Sequence, residues 1–150
     1  SNAVAVAAGM LFSLVLRSDG LVFGCGVNAI GQLGINSTAS RRTFVQATGI
    51  SNAVAIACGA AHSIALRSDG VVFTCGDNSG LQLGNNDSFD QSVFVQTTGI
   101  SNAYAVAAGF GETRALRSDK YLFACGTNNH GQLGDDSTTN RSTFVQAISI

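Results

Sequence analysis

The chain has 150 residues, a formal net charge of −1, and only 11% charged residues. The low charge and a pI near 6.0 argue against a nucleic-acid partner, because proteins that bind nucleic acid generally carry a strongly basic face. Hydrophobic residues make up 45% of the chain, which excludes general disorder, but no apolar run approaches the roughly 20 residues of a membrane span, so no membrane partner is expected.

The sequence repeats itself with a period of 50 residues. Blocks 1–50, 51–100 and 101–150 align without a gap, and 21 of the 50 columns are identical in all three, from Ser1 at the start to Ile150 at the end. A fixed period of this length is typical of arrays built from one supersecondary unit. We therefore predict a single domain, 1–150, made of three similar units.

Each block contains four short apolar runs separated by turn signals. The Asp69-Gly70 pair lies between the second and third runs and predicts a hairpin with a type I′ turn, in which both central residues have positive φ. The third block has Asp119-Lys120 there, so its turn is inferred from the repeat. Each block is thus predicted to form a four-stranded antiparallel sheet. In the second block the runs are Ala53–Ala57, Ser63–Leu66, Val71–Cys75 and, after a polar loop over 77–92, Phe94–Thr97.

Both faces of such a sheet would be apolar. In the third run Val71 and Phe73 point to one side, and Val72 and Thr74 point to the other. A sheet of this kind needs cover on two sides, as a β-propeller blade has, and the alanines of the first run suit an inner strand near the propeller axis. The alternative is a two-sheet sandwich, which would more naturally alternate apolar and polar positions. We predict an all-β fold of three propeller blades.

Several motifs of the repeat resemble those of the regulator of chromosome condensation family. They are Ala57–Leu66, Ser68–Gly70, Cys75–Asn78 and Gly131–Gly134. The resemblance implies a propeller, typically of seven blades, and a role as a guanine-nucleotide exchange factor, as a binding platform for proteins or chromatin, or as an ultraviolet-B photoreceptor. Photoreception is disfavoured because the chain has no tryptophan, and cysteine stands where the family usually has it, at Cys25, Cys75 and Cys125.

Three blades are fewer than the four to eight of a closed propeller, and they leave two outer faces uncovered. A face of four five-residue strands measures roughly 300 Å², and covering it is worth about 8 kcal/mol as an upper estimate. Two chains give six blades, which is within the normal range. We therefore predict a homodimeric six-bladed ring in which blade 3 packs on blade 1 of the partner. The alternative is a piece of a longer propeller.

No catalytic residue, cofactor site or metal site is predicted. The cysteines lack the close pairing of a zinc site and are expected to be buried reduced thiols. The acidic loops do not follow a calcium-binding pattern. Neither His62 nor His130 has a nucleophile and a carboxylate at motif spacing, and His62 is expected to be structural. The Arg-x-Asp pair that begins at Arg17, Arg67 and Arg117 is expected to brace each hairpin.

A partner-binding site is expected where the blocks differ from one another. The variable positions fall in the loops between the first and second strands and between the third and fourth, which leave an up-and-down blade on the same side. Aromatic residues and arginine are enriched in interaction hot spots. Unselected loop variation is the other explanation. The predicted rim consists of Phe12, Arg41, Arg42, His62, Phe89, Phe110, Glu112 and Arg141.

The sequence thus predicts a non-enzymatic β-propeller scaffold for protein–protein interaction or self-assembly. The first alternative is a guanine-nucleotide exchange factor for a small GTPase, or a chromatin-binding module. Exchange requires an inserted segment that reaches the nucleotide site, and the gapless period leaves no room for one. The second alternative is an engineered or excised propeller fragment.

Overall fold

A computed structural model describes residues 2–148, so Ser1 and Ile150, the ends of the first and last repeats, lie outside the described residues. Twelve strands and no helix occur within this range. These residues therefore contain no helix that is long and apolar enough to cross a membrane. The strands are β1 Ala3–Ala8, β2 Phe12–Arg17, β3 Val22–Gly26, β4 Arg41–Gln46, β5 Ala53–Cys58, β6 His62–Arg67, β7 Val72–Gly76, β8 Gln91–Gln96, β9 Ala103–Ala108, β10 Glu112–Arg117, β11 Leu122–Gly126 and β12 Arg141–Gln146.

Each repeat forms one antiparallel sheet whose four strands are neighbours in chain order, as predicted. The first strands of successive sheets contact one another, β1 with β5 and β5 with β9. These strands are rich in alanine, whose small side chain permits the close approach of backbones. The alanine-rich strand is therefore the one at which the three sheets converge.

The fourth strand begins earlier than predicted. In the second repeat it covers Gln91–Gln96, whereas the apolar run alone predicted Phe94–Thr97. Gln91 pairs with Gly76 in its own sheet, and Val93 forms a bridge to Ile35 of the preceding repeat. The fourth strand of blade 1 begins at the equivalent Arg41, which pairs with Gly26, so pairing within the sheet is what extends the strand into a polar segment.

The hairpin between the second and third strands differs from the predicted type I′ turn. Gly70 N–H donates to the Arg67 carbonyl at 2.9 Å, and among Ser68, Asp69 and Gly70 only the glycine has a positive φ, of 81°. This is the three-residue loop in which a type I turn is followed by a left-handed residue. Lys120 has the same conformation, with φ 76°, so the turn inferred for the third block is confirmed.

The three sheets stack in series, and each junction joins two unlike faces. One face, here called the leucine face, is formed in blade 1 by Leu14, Leu16, Val22 and Leu33. It packs on the next blade's phenylalanine face, which in blade 2 is formed by Ala65, Phe73, Cys75 and Phe94. Blades 2 and 3 repeat this arrangement around Ile64, Leu66, Phe123 and Phe144. Serial stacking excludes the two-sheet sandwich.

Candidate functional site

The two junctions use the same atoms, 50 residues apart. The hydroxyl of Ser63 donates to the Gln32 carbonyl at 2.5 Å, and that of Thr113 donates to the Gln82 carbonyl at 2.7 Å. Four backbone hydrogen bonds also recur, so the junction is a fixed unit of recognition between blades. They are Met10 N to Ala60 O and Ala60 N to Phe110 O, Ala53 N to Gly20 O and Ala103 N to Gly70 O, Asn36 N to Ser92 O and Asn86 N to Ser142 O, and Phe94 N to Thr48 O and Phe144 N to Thr98 O.

A phenylalanine of the fourth strand closes each junction over a glycine of the preceding blade. Phe94 and Phe144 are only 3% and 4% exposed. A Cβ on Gly34 would lie 2.7 Å from the Phe94 ring, and one on Gly84 would lie 2.6 Å from the sulfur of Cys125. Only glycine leaves room for the ring, which explains the last glycine of the Gly-Gln-Leu-Gly motif.

The phenylalanine face of blade 1 is open. Phe44 is 49% exposed, although its counterparts in the other blades are buried, and Val6 is 78% exposed. Cys25 is half-buried. Val15, Phe23 and Phe44 help to line a mainly apolar groove of about 290 Å³ on this face.

The leucine face of blade 3 is open as well, and it is more polar than its counterparts. Arg114 occupies the position of Leu14 and Ile64, and its guanidinium donates to Glu112 Oε1 and to the Gln132 carbonyl, both at 3.1 Å. A groove of about 240 Å³ lies beside it. A larger depression of about 620 Å³ is lined by Gly131, Gly134, Asp136, Ser137, Thr138 and Ile148, where the other junctions seat their closing phenylalanine.

The predicted loop rim is only partly assembled. Met10 and Phe110 from one loop set and Asp77 and Asn140 from the other line a shared depression of about 410 Å³, so both sets lie on the same side of the blades. Of the predicted rim residues only Phe110 is among those lining it. Phe89 and Arg42 are exposed, and Arg41, Glu112 and Arg141 are half-buried.

The prediction that Phe12 and His62 belong to the exposed rim is wrong. They are 4% and 0% exposed and lie inside the first and second junctions. The reason is the alternation of the second strand, because residues 12, 14 and 16 of each block share one face. His62 Nε2 lies 3.0 Å from Thr113 Oγ1, whereas its Nδ1 has no hydrogen-bond partner among the described residues. Burial lowers the pKa of His62 to about 4.

The family assignment follows from comparison with known repeats. A profile described as "Regulator of chromosome condensation (RCC1) repeat" matches residues 19–66, and a second profile with the same description matches residues 53–82. Residues 19–82 therefore carry RCC1 repeats. No curated protein matches the sequence.

Solved structures show the same arrangement of blades. Human WBSCR16 superposes with a TM-score of 0.86 at 24% identity, over 96% of this chain and 37% of that one. Prp20p from Saccharomyces cerevisiae gives 0.87 at 18% identity, over 99% and 39%. Yeast RCC1 (Prp20) bound to Kap60 gives 0.81 at 21% identity, over 99% and 38%. The chain therefore spans less than two fifths of these proteins, and the likeness establishes the propeller fold.

Arginine braces the hairpin of each 50-residue repeat in two ways. Arg67 Nη2 lies 2.6 Å from Asp69 Oδ2, and equivalent pairs occur at Arg17 and Arg117, so the predicted brace is confirmed. Each guanidinium also lies over a phenylalanine ring, as Arg67 does over Phe73 at 4.9 Å. The sequence carried a signal for this contact, because arginine and phenylalanine are six residues apart in every block.

The four cysteines are all free thiols. Burial raises the pKa of Cys58 to about 12 and those of Cys75 and Cys125 well above their usual value. Within residues 2–148 no three histidine, cysteine or acidic side chains are placed to hold a metal ion.

Proposed function

We propose that this chain is a non-enzymatic scaffold of RCC1 blades that assembles through its two open blade faces. Two copies form a homodimeric six-bladed ring, in which blade 3 of each copy packs on blade 1 of the other. The observation that carries the proposal is that one open face is a phenylalanine face and the other is a leucine face. They are the two complementary halves of a junction that the chain already makes twice.

Apolar burial supplies the driving force. Each face offers roughly 300 Å², worth about 8 kcal/mol as an upper estimate, and a ring of two copies covers four such faces at two equal junctions. The two-fold symmetry closes the assembly, so no face remains to recruit further copies. Phe44 would then gain the cover that Phe94 and Phe144 already have.

Lys120 makes this junction weaker than the internal ones. At Gly20 and Gly70 a Cβ would lie 2.7 and 2.8 Å from the Cα of the next blade's asparagine. Lys120 has a Cβ at this position, so the equivalent Asn2 of the second copy must stand further away. The assembly is therefore expected to be reversible and dependent on concentration.

The mass in solution tests the proposal. Light scattering over a range of concentrations should show a species of twice 15.3 kDa that dissociates on dilution. Phe44→Ser should shift the equilibrium to the monomer. Phe89→Ser, a change of the same type at an exposed loop position, should leave the mass unchanged. A mass of 15.3 kDa for the wild type at every concentration would refute the ring and favour a piece of a longer propeller.

The loop rim is the proposed surface for a further protein partner. Its accessible part is the depression beside Met10 and Phe110, where large apolar side chains are exposed next to polar loops. Hot spots typically combine such anchors with a polar surround. Loss of partner binding in Phe110→Ser, measured at a concentration at which the variant and the wild type have the same mass, would identify the rim as the contact.

Nucleotide exchange is the second candidate, favoured by the likeness to Prp20p, a protein described together with its binding to Gsp1p and histones. A nucleotide-release assay with a small GTPase separates the two functions. The scaffold predicts no acceleration of release at stoichiometric amounts. Catalytic acceleration would replace the scaffold by the exchange factor.

A further inference from the structure

Two positions of the 50-residue repeat, 36 and 42, carry a charge only in the blade whose face at that position is open. Asn36 N–H donates to the Ser92 carbonyl at 2.8 Å beside the bridge between Ile35 and Val93, so residues 36 and 92 lie opposite each other across the junction. Asn86 and Ser142 repeat the contact at 2.9 Å. Both internal pairs are neutral.

The corresponding residues on the open faces are Asp136 in blade 3 and Arg42 in blade 1. Each departs from the asparagine or serine that the other two blocks have in its column. Both side chains are exposed, and neither makes a hydrogen bond or ion pair within residues 2–148. Asp136 also lines the large depression on the leucine face of blade 3.

We propose that Asp136 of one copy and Arg42 of a second copy form a cross-strand ion pair that selects the junction between copies. The inference rests on the proposed self-assembly and names its specificity-determining residues. Opposite charges directly across a strand pair are stabilising, and like charges there are destabilising. The internal junctions, with asparagine and serine, give neither charge a competing partner within the chain.

Two other departures from the repeat fit the same junction. Met10 N–H donates to the Ala60 carbonyl, and Ala60 N–H donates to the Phe110 carbonyl, both at 3.2 Å. The next contact in this series brings Phe110 to Met10 of the second copy. These side chains are 76% and 62% exposed in the single chain, and thioether and aromatic groups attract each other.

The remaining polar groups also find partners in this arrangement. Arg114 occupies the Gln132 carbonyl, whose counterparts Gln32 and Gln82 accept a hydroxyl from the next blade. A carbonyl oxygen has two lone pairs, so the Gln132 carbonyl can still accept from Ser13 of the second copy. Residue 62 contacts residue 113 across the internal junction, so by the same spacing Glu112 faces Ser13 and offers its carboxylate.

Charge exchange tests the pair. Asp136→Arg and Arg42→Asp should each raise the dimer dissociation constant about tenfold, measured by sedimentation equilibrium at low salt. The double variant should return to within about threefold of the wild type, since the charges are again opposite. Gln96→Arg, an exposed change on the middle blade, serves as the charge control and should have no effect.

The outcomes separate the two proposals. A wild type that is monomeric at all concentrations overturns the assembly and the ion pair together. A dimeric wild type whose single variants behave like Gln96→Arg, or whose double variant is not restored, overturns the ion pair and leaves the assembly standing. High salt should reduce the difference between the wild type and the single variants.

Discussion

Column 12 of the repeat contains Phe12, His62 and Glu112, and the three side chains share one place on the second strand. Phe12 is packed in the apolar first junction, and His62 is buried against Thr113 in the second. Glu112, on the open face, pairs with Arg114. The side chain at this position is therefore apolar or neutral where a neighbouring blade packs on it, and charged where the face is open.

Burial of a neutral histidine makes stability depend on pH. The pKa of His62 is about 4 when folded and about 6.5 when unfolded, so the unfolded chain binds the proton first. The contribution of neutral His62 to the free energy of unfolding is complete above pH 6.5. It falls by about 3 kcal/mol as the pH is lowered towards 4. Urea unfolding at pH 7 and pH 4 should show this loss in the wild type. His62→Phe should lose about 3 kcal/mol less over the same range, and an equal loss in both proteins would contradict the assignment.

The β2–β3 hairpins differ between blades at a single backbone position. Gly70 has φ 81° and lies under the backbone of Asn102, whereas Lys120 has nearly the same φ and is exposed. Lys120 also places its ammonium 4.5 Å from the centre of the Tyr104 ring. The same turn is therefore tightly restricted in the middle blade and permissive at the open end.

Substitution at this turn should reveal the restriction. Gly70→Ala adds left-handed strain and a backbone clash, and should lower the free energy of unfolding by about 2 kcal/mol. Lys120→Ala retains the existing Cβ and loses the cation–π contact and the exposed 3.5 Å hydrogen bond to the Tyr104 hydroxyl, at a cost of about 0.5 kcal/mol. Thermal unfolding of the two variants checks the order, and equal losses would show that the neighbouring blade does not restrict the turn.

The reactivity of the thiols shows whether a neighbouring blade covers the third strand of each blade. Cys75 and Cys125 are buried behind the preceding blade, and burial raises their pKa, whereas Cys25 lies on the open face of blade 1. A thiol reagent should modify Cys25 rapidly and the others slowly in dilute native protein, with the site identified by mass spectrometry. Cys25→Ser should abolish the fast phase. Protection of Cys25 at high protein concentration would indicate that its face becomes covered.

At the scale of the whole molecule, stability and assembly are linked. Partner binding stabilises the folded state by mass action, so the midpoint of thermal unfolding should rise with protein concentration if the ring forms. Lys120→Gly should strengthen this dependence, because it removes the Cβ that holds Asn2 of the second copy away. Calorimetry over a wide concentration range checks both expectations. A midpoint independent of concentration in both proteins would count against assembly.

Sequence alone determined the number of blades, their four strands and the apolar character of both faces. Each of these follows from local patterns, namely the period of 50 residues, the two-residue alternation and the turn signals at Asp69-Gly70. The brace formed by Arg67 and Asp69 was also predictable, because its residues are two apart.

Tertiary structure decided which of the three equivalent residues at a repeat position is buried by a neighbouring blade. Phe44, Phe94 and Phe144 stand in the same local sequence, yet only the first is open, since no blade within residues 2–148 precedes its own. Likewise, the loops suggested that Phe12 and His62 were accessible, whereas strand parity placed them inside junctions. Local pattern fixes the face on which a side chain lies, and only the stacking of neighbouring sheets determines whether that face meets water.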